Sequence, residues 1–175
     1  MKCLASRAAH ACPAMAMVSA PELLLLGAFA LLSLADLRYR EAPGIVVIYF
    51  AALYLQTGSD PLRATSVALA VIWGHWRSWP GVLAWPALLH PAAWVVMLAG
   101  YGVRMGLVGR GDLLAAGALA CLFPWPAPVL AFLGVEVWRR MWVRRGLPGP
   151  LPALPGMFIG LAVYLLFWRV MPALH

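Results

Sequence analysis

Asp36 closes one apolar run and Asp112 opens another, in a chain with only 6 acidic residues. Taken singly, each has an ordinary role. Asp36 reads as a solvated carboxylate at a helix end, balanced by Arg38 and Arg40. Asp112, after Gly109-Arg110-Gly111, reads as a helix N-cap, a position that aspartate fills well. Taken together they permit more. Two carboxylates that share a low-dielectric site cannot both ionise easily, so one keeps a proton near neutral pH. The ionised partner then takes a proton from water, the water attacks a scissile carbonyl, and the protonated partner donates to the oxyanion or the leaving amine. Such a reaction requires no metal, no other cofactor and no covalent intermediate. Gly109 and Gly111 would let a substrate strand approach the backbone closely, since no Cβ intervenes.

The remaining polar groups have plainer readings. Glu136 lies one turn before Arg139 and Arg140 and is placed to pair with them. Glu22 reads as interfacial and Glu41 as a solvated loop acid. His75 and His90 have no sequence neighbours that suggest a metal site. Cys3, Cys12 and Cys121 form no CxxC and no metal-ligand pattern, which argues against a disulfide framework and a structural zinc.

The elements that must position the two aspartates follow from composition. The 175 residues are 64% hydrophobic and 11% charged, and the mean hydropathy is +0.86. A soluble domain is nearer half apolar and a quarter charged. A bilayer suits this chain, with every backbone group satisfied inside helices. The expected fold is therefore all-α: a single polytopic membrane domain over 1–175, a bundle of about six transmembrane helices. Residues 1–20 form a possible extra-membrane extension, within which Met15 or Met17 is an alternative start. The net charge of +7 comes from arginines lying between apolar runs, which reads as topogenic and not as a nucleic-acid footprint.

Spans are expected at about 21–37, 45–56, 82–103 and 113–123, in the stretch before Trp138, and at 154–170. Pro86 and Pro91 would kink the third. The end of 65–80, with Trp73, Trp76 and Trp79, is read as an interfacial segment on the outer face, the alternative being a further short span. Two spans then separate Asp36 from Asp112, and two more separate Asp112 from the basic cluster Arg139 to Arg145. Both aspartates and that cluster fall on the cytoplasmic side of a plasma membrane, with both termini outside.

Three motifs in order carry a family resemblance. The run from Ser33 through Asp36 to Pro43 and Gly44 resembles the first catalytic region of type IV prepilin and preflagellin (prearchaellin) peptidases. There an aspartate ends the first span and a basic loop with a proline follows. Gly109-Arg110-Gly111-Asp112 resembles their GxGD motif, and Pro152-Ala153-Leu154-Pro155 followed by Gly160 resembles the approach to their last span. The resemblance covers residues 20 to 170. It implies catalysis by Asp36 and Asp112, with Gly109, Gly111, Pro152 and Pro155 supporting the motif. It implies a precursor substrate with a short basic leader and an apolar helix, cut at the cytoplasmic membrane face. Two positions depart from the family: Gly44 where asparagine is common, and Leu114 where a lysine often follows the second aspartate. The cysteine-rich insert of the bifunctional members is missing, so peptidase activity alone is expected. Pro152-Ala153-Leu154 also resembles the PAL motif of presenilin and signal peptide peptidase, an alternative with the same dyad. A non-enzymatic membrane subunit or transporter is the alternative of another class.

Overall fold

The computed structural model describes residues 20–39, 44–76, 78, 81–147 and 151–167. The N-terminal extension, Arg40, Glu41, Pro43, Trp79 and residues 168–175 lie outside the described residues. The described residues form seven α-helices and one 3₁₀ segment, with no strand among them. The helices are α1 (Ala20–Tyr39), α2 (Ile45–Ser59), α3 (Pro61–His75), α4 (Pro91–Arg104), α5 (Arg110–Leu122), α6 (Pro126–Arg144) and α7 (Leu154–Leu165). The 3₁₀ segment is Gly81–Leu89.

Proline and short polar residues set the starts. Asp60 caps α3 by accepting the Arg63 N–H at 3.0 Å, with Pro61 in the first turn. His90 caps α4 through Nδ1, which accepts the Ala92 N–H at 3.1 Å, and Pro91 follows. Prolines also open α6 and α7. Glycine sets two of the ends. Gly106 (φ 75°) and Gly146 (φ 60°) adopt the left-handed conformation just past α4 and α6. The Leu107 N–H then bonds the Gly102 carbonyl at 2.8 Å, reversing the chain toward Asp112.

The expected bundle of membrane spans is corrected here. Among the described residues no helix is long and apolar enough to cross a membrane. The reason is that Pro and Gly cut the apolar runs short. Helices α2, α3, α4, α5 and α7 have 15, 15, 14, 13 and 12 residues. At 1.5 Å per residue these reach about 18 to 23 Å, against a hydrocarbon core of about 30 Å. Helices α1 and α6 are longer, at 20 and 19 residues, but α1 carries Glu22, Asp36 and Arg38, and α6 carries Glu136, Arg139, Arg140 and Arg144. The all-helical part of the expectation stands.

The path between the aspartates also differs from the reading. Residues 61–75 form a packed helix with Ala64, Val67, Ala70 and Gly74 buried, a further short pass, while at its end Trp76 is exposed and Trp79 lies outside the described residues. Residues 82–103 are two segments and not one kinked helix, because the chain turns at His90-Pro91. Gly81 lies beside Trp73 at one end of the bundle, while His90 Nε2 lies 3.7 Å from Asp60 at the other. Four passes therefore link Asp36 to Asp112 instead of two. The number stays even, so both aspartates sit at the same end.

Two apolar clusters fill the interior. One joins α2, α3, α4, α5 and the 3₁₀ segment around Val67, Val96 and Leu113. The other joins α1, α5, α6 and α7 around Phe29, Leu119, Phe123 and Tyr164. Helix α5 contributes to both, and its residues 115–121 are all buried. Its small side chains let neighbours close in from every side. The widest helix contact is α6 on α7. A Cβ on Gly134 would lie 2.7 Å from Gly160 N, and one on Gly156 would lie 2.5 Å from Val135 Cα. That seam admits only glycine at these positions.

Candidate active site

Asp112 sits in the first turn of α5 and reaches back to the N-cap, where Oδ2 accepts the Gly109 N–H at 3.1 Å. Gly109 has no side chain with which to return the bond. A Cβ there would lie 2.9 Å from Asp112 Oδ2, so glycine keeps the space that the carboxylate occupies. Gly111 is less constrained, since its Cβ would meet Ile45 Cγ2 at an ordinary 4.0 Å.

Asp36 lies near the C-terminal end of α1, and its Oδ2 accepts the Leu154 N–H at 3.3 Å. The donor belongs to the segment Pro152-Ala153-Leu154-Pro155, all four residues of which are buried. Pro155 stands in the first turn of α7, where its missing N–H costs no helical bond. That first turn therefore leaves the Leu154 N–H available to a carboxylate.

The two aspartates are brought within electrostatic reach. Burial pushes the Asp112 carboxyl up to about 6, the Gly109 N–H pulls it down, and the negative charge of Asp36 pushes it up again. Asp112 thus holds a proton well above the ordinary carboxylate range.

A cleft of about 560 Å³ opens beside Asp112. Its walls include Val108, Gly109, Phe132, Glu136, Arg139 and Met157. The sequence pointed to Asp112 and Gly109 here, but not to Phe132, Met157 or the Leu154 N–H. Helical spacing along α6 and α7 signals the first two only as apolar residues, and a backbone donor carries no signal. Asp36, Pro152, Pro155 and Gly111 do not line this cleft; of the two aspartates only Asp112 does.

Ions elsewhere have structural work. Arg63 Nε donates to the Ala120 carbonyl at 2.7 Å, and Nη2 donates to the Phe123 carbonyl, closing the C-terminal end of α5. Arg104 donates to the carbonyls of Trp73 and Trp76 at 2.9 to 3.0 Å and lies 4.2 Å from the Trp73 ring centre. His90 has Asp60 beside it, Nε2 to Oδ2 at 3.7 Å. No group of three or more potential metal ligands occurs among the described residues. No family model matches the chain, and no curated protein or solved structure does either.

Proposed function

We propose that this protein is an aspartic endopeptidase whose dyad is Asp36 and Asp112. The observation that carries the reading is the mutual electrostatic influence of two carboxylates 76 positions apart, one of them neutral up to about pH 6 beside an open cleft. Asp112, protonated, is the acid. Asp36, whose Oδ2 already accepts a backbone N–H, is the base. Asp36 takes a proton from water and the oxygen attacks the scissile carbonyl carbon. Asp112 gives its proton to the carbonyl oxygen as that charge develops. Collapse of the tetrahedral species then breaks the C–N bond, and the amine leaves with a proton from the dyad.

The substrate we propose is a precursor protein with a short basic leader before an apolar helix, the class that the three motifs imply. The site of action is a lipid surface. Large side chains such as Leu24, Leu31, Val47, Tyr54, Leu98 and Leu107 are 70 to 81% exposed, and acyl chains would cover them. The dyad end carries Arg38, Arg110, Arg139, Arg140, Arg144 and Arg145, which suits an anionic cytoplasmic leaflet.

The bond from the Leu154 N–H to Asp36 supports a second reading with the same dyad, a presenilin-like peptidase that cuts within an apolar helix. Incubation with a tagged precursor separates the two by the position of the cut. A single product beginning at the apolar segment supports the first, and cleavage deep inside it supports the second. Asp36→Asn and Asp112→Asn should each abolish cleavage, and the double variant should be no worse than either. Near-native cleavage by Asp36→Asn would remove the dyad assignment.

A further inference from the structure

The wall of the cleft facing Asp112 is charged in an uneven way. Arg139 binds Glu136 side-on, Nε to Oε2 at 2.7 Å and Nη2 to Oε1 at 2.8 Å. Arg140 Nε donates to the same Oε1 at 2.9 Å. Both hydrogen bonds, that from Arg139 first, hold the Glu136 carboxyl down to about 2, so it stays ionised. Two guanidinium groups thus share one carboxylate, and the group is left with one positive charge. Arg139 and Glu136 line the same cleft as Asp112, whereas Arg140, Arg144 and Arg145 do not. Arg139 Nη1 has no bond among the described residues. The guanidinium is half-exposed and lines the cleft.

We propose that Arg139, held in place by Glu136, is a specificity-determining residue that receives a carboxylate side chain of the bound peptide. A peptide laid across the dyad would place an Asp or Glu against this cation on one side of the scissile bond. A basic residue would be refused at that position, so a basic leader must leave the site on the other side. The fork of an arginine suits this work, because it can keep Glu136 on one edge and present its other nitrogen to a second carboxylate. Glu136 has a positioning role: by fixing Arg139 it lowers the freedom lost when the peptide docks.

This proposal rests on the cleft being the peptide site of the enzyme proposed above, and a binding measurement separates the two ideas. Three rhodamine-labelled 12-residue peptides of Ala, Leu and Ser, with one central Glu, Gln or Lys, are titrated with the full chain in mild uncharged detergent and followed by anisotropy. The Glu peptide should bind about five-fold tighter than the Gln peptide, a ratio in keeping with a half-exposed charge-assisted pair. The Lys peptide should be the weakest. Arg139→Gln should bring the Glu and Gln peptides to within about two-fold, while Arg144→Gln should leave the ratio intact. Raised salt should shrink it. Equal binding of the three peptides, or a ratio that survives Arg139→Gln, overturns the proposal whatever the cleavage assay shows. A clear ratio with no cleavage of any precursor leaves the carboxylate site standing and removes the peptidase reading alone.

Discussion

Burial and the charge of Asp36 favour the neutral form of Asp112, while the Gly109 N–H favours the ionised form, and burial is the largest of the three. The consequence for stability has a definite sign. The folded carboxyl titrates near 6 and the unfolded one near 3.8, so between these values the folded chain holds a proton that the unfolded chain has released. Stability therefore falls as pH rises through that window, and above it the cost is complete. Asp112→Asn keeps an oxygen for the Gly109 N–H and carries no charge. It should match the native chain at pH 3 and exceed it at pH 8, by about 1 to 2 kcal/mol once solvent in the cleft is allowed for. Denaturant titrations at the two pH values measure this, and an equal gain at both would show that the charge is not the cause. The activity proposed for this site should carry the same mark, declining as Asp112 loses its proton above about pH 6.

At the scale of the element, the start of α5 is where the sequence was most legible. An aspartate after Gly-Arg-Gly and before an apolar run states both a cap and an acid, and the structure uses that aspartate to close the N-terminal turn. The two glycines are not equivalent, although the motif treats them alike. Gly109→Ala drives a methyl onto the carboxylate and should lower kcat at least about ten-fold, in line with the cost of small displacements at a reacting group. Gly111→Ala meets only Ile45 at van der Waals distance and should keep activity within about two-fold. Steady-state rates of the two variants decide it, and equal losses would mean that Gly109 is not there for the carboxylate. The middle of the chain was harder to read. Tryptophans at 73, 76 and 79 look the same to a periodicity argument whether they anchor at an interface or end a packed helix. What decides for packing is Gly74, whose Cβ would come to 2.5 Å from Gly100 Cα, a contact between residues 26 positions apart. Close backbone approaches of this kind leave no local pattern.

Over the whole molecule, composition fixed the helical class but misjudged how the helices are cut. Mean hydropathy averages over prolines and glycines that shorten each helix, so the same apolar total is spread over seven helices and one 3₁₀ segment among the described residues. Their outward faces remain apolar, with Leu24 75%, Tyr54 81% and Leu98 72% exposed on three different helices. Water is a poor solvent for such a surface. Sedimentation of the full chain without amphiphile should show large aggregates, and addition of phosphatidylglycerol-containing vesicles or mild detergent should give a single small species. A monodisperse chain in plain buffer would remove the proposed lipid contact. Charge is sorted at the same scale. The end opposite the dyad spends Asp60, Arg63 and His90 on closing helices, and the dyad end keeps its outer arginines in solvent.

The bond between Asp36 and the Leu154 N–H spans 118 positions. During synthesis, α1 leaves the ribosome long before α7, so Asp36 spends most of translation without the donor that fixes it in the folded chain. Asp112 arrives earlier than α7 as well, and one wall of its cleft, at Ala153 and Met157, is not yet made. The nascent chain thus carries both acids with no finished place to use them. On the proposed reading, proteolytic competence would be withheld until α7 docks, which would shield neighbouring nascent chains from premature cutting.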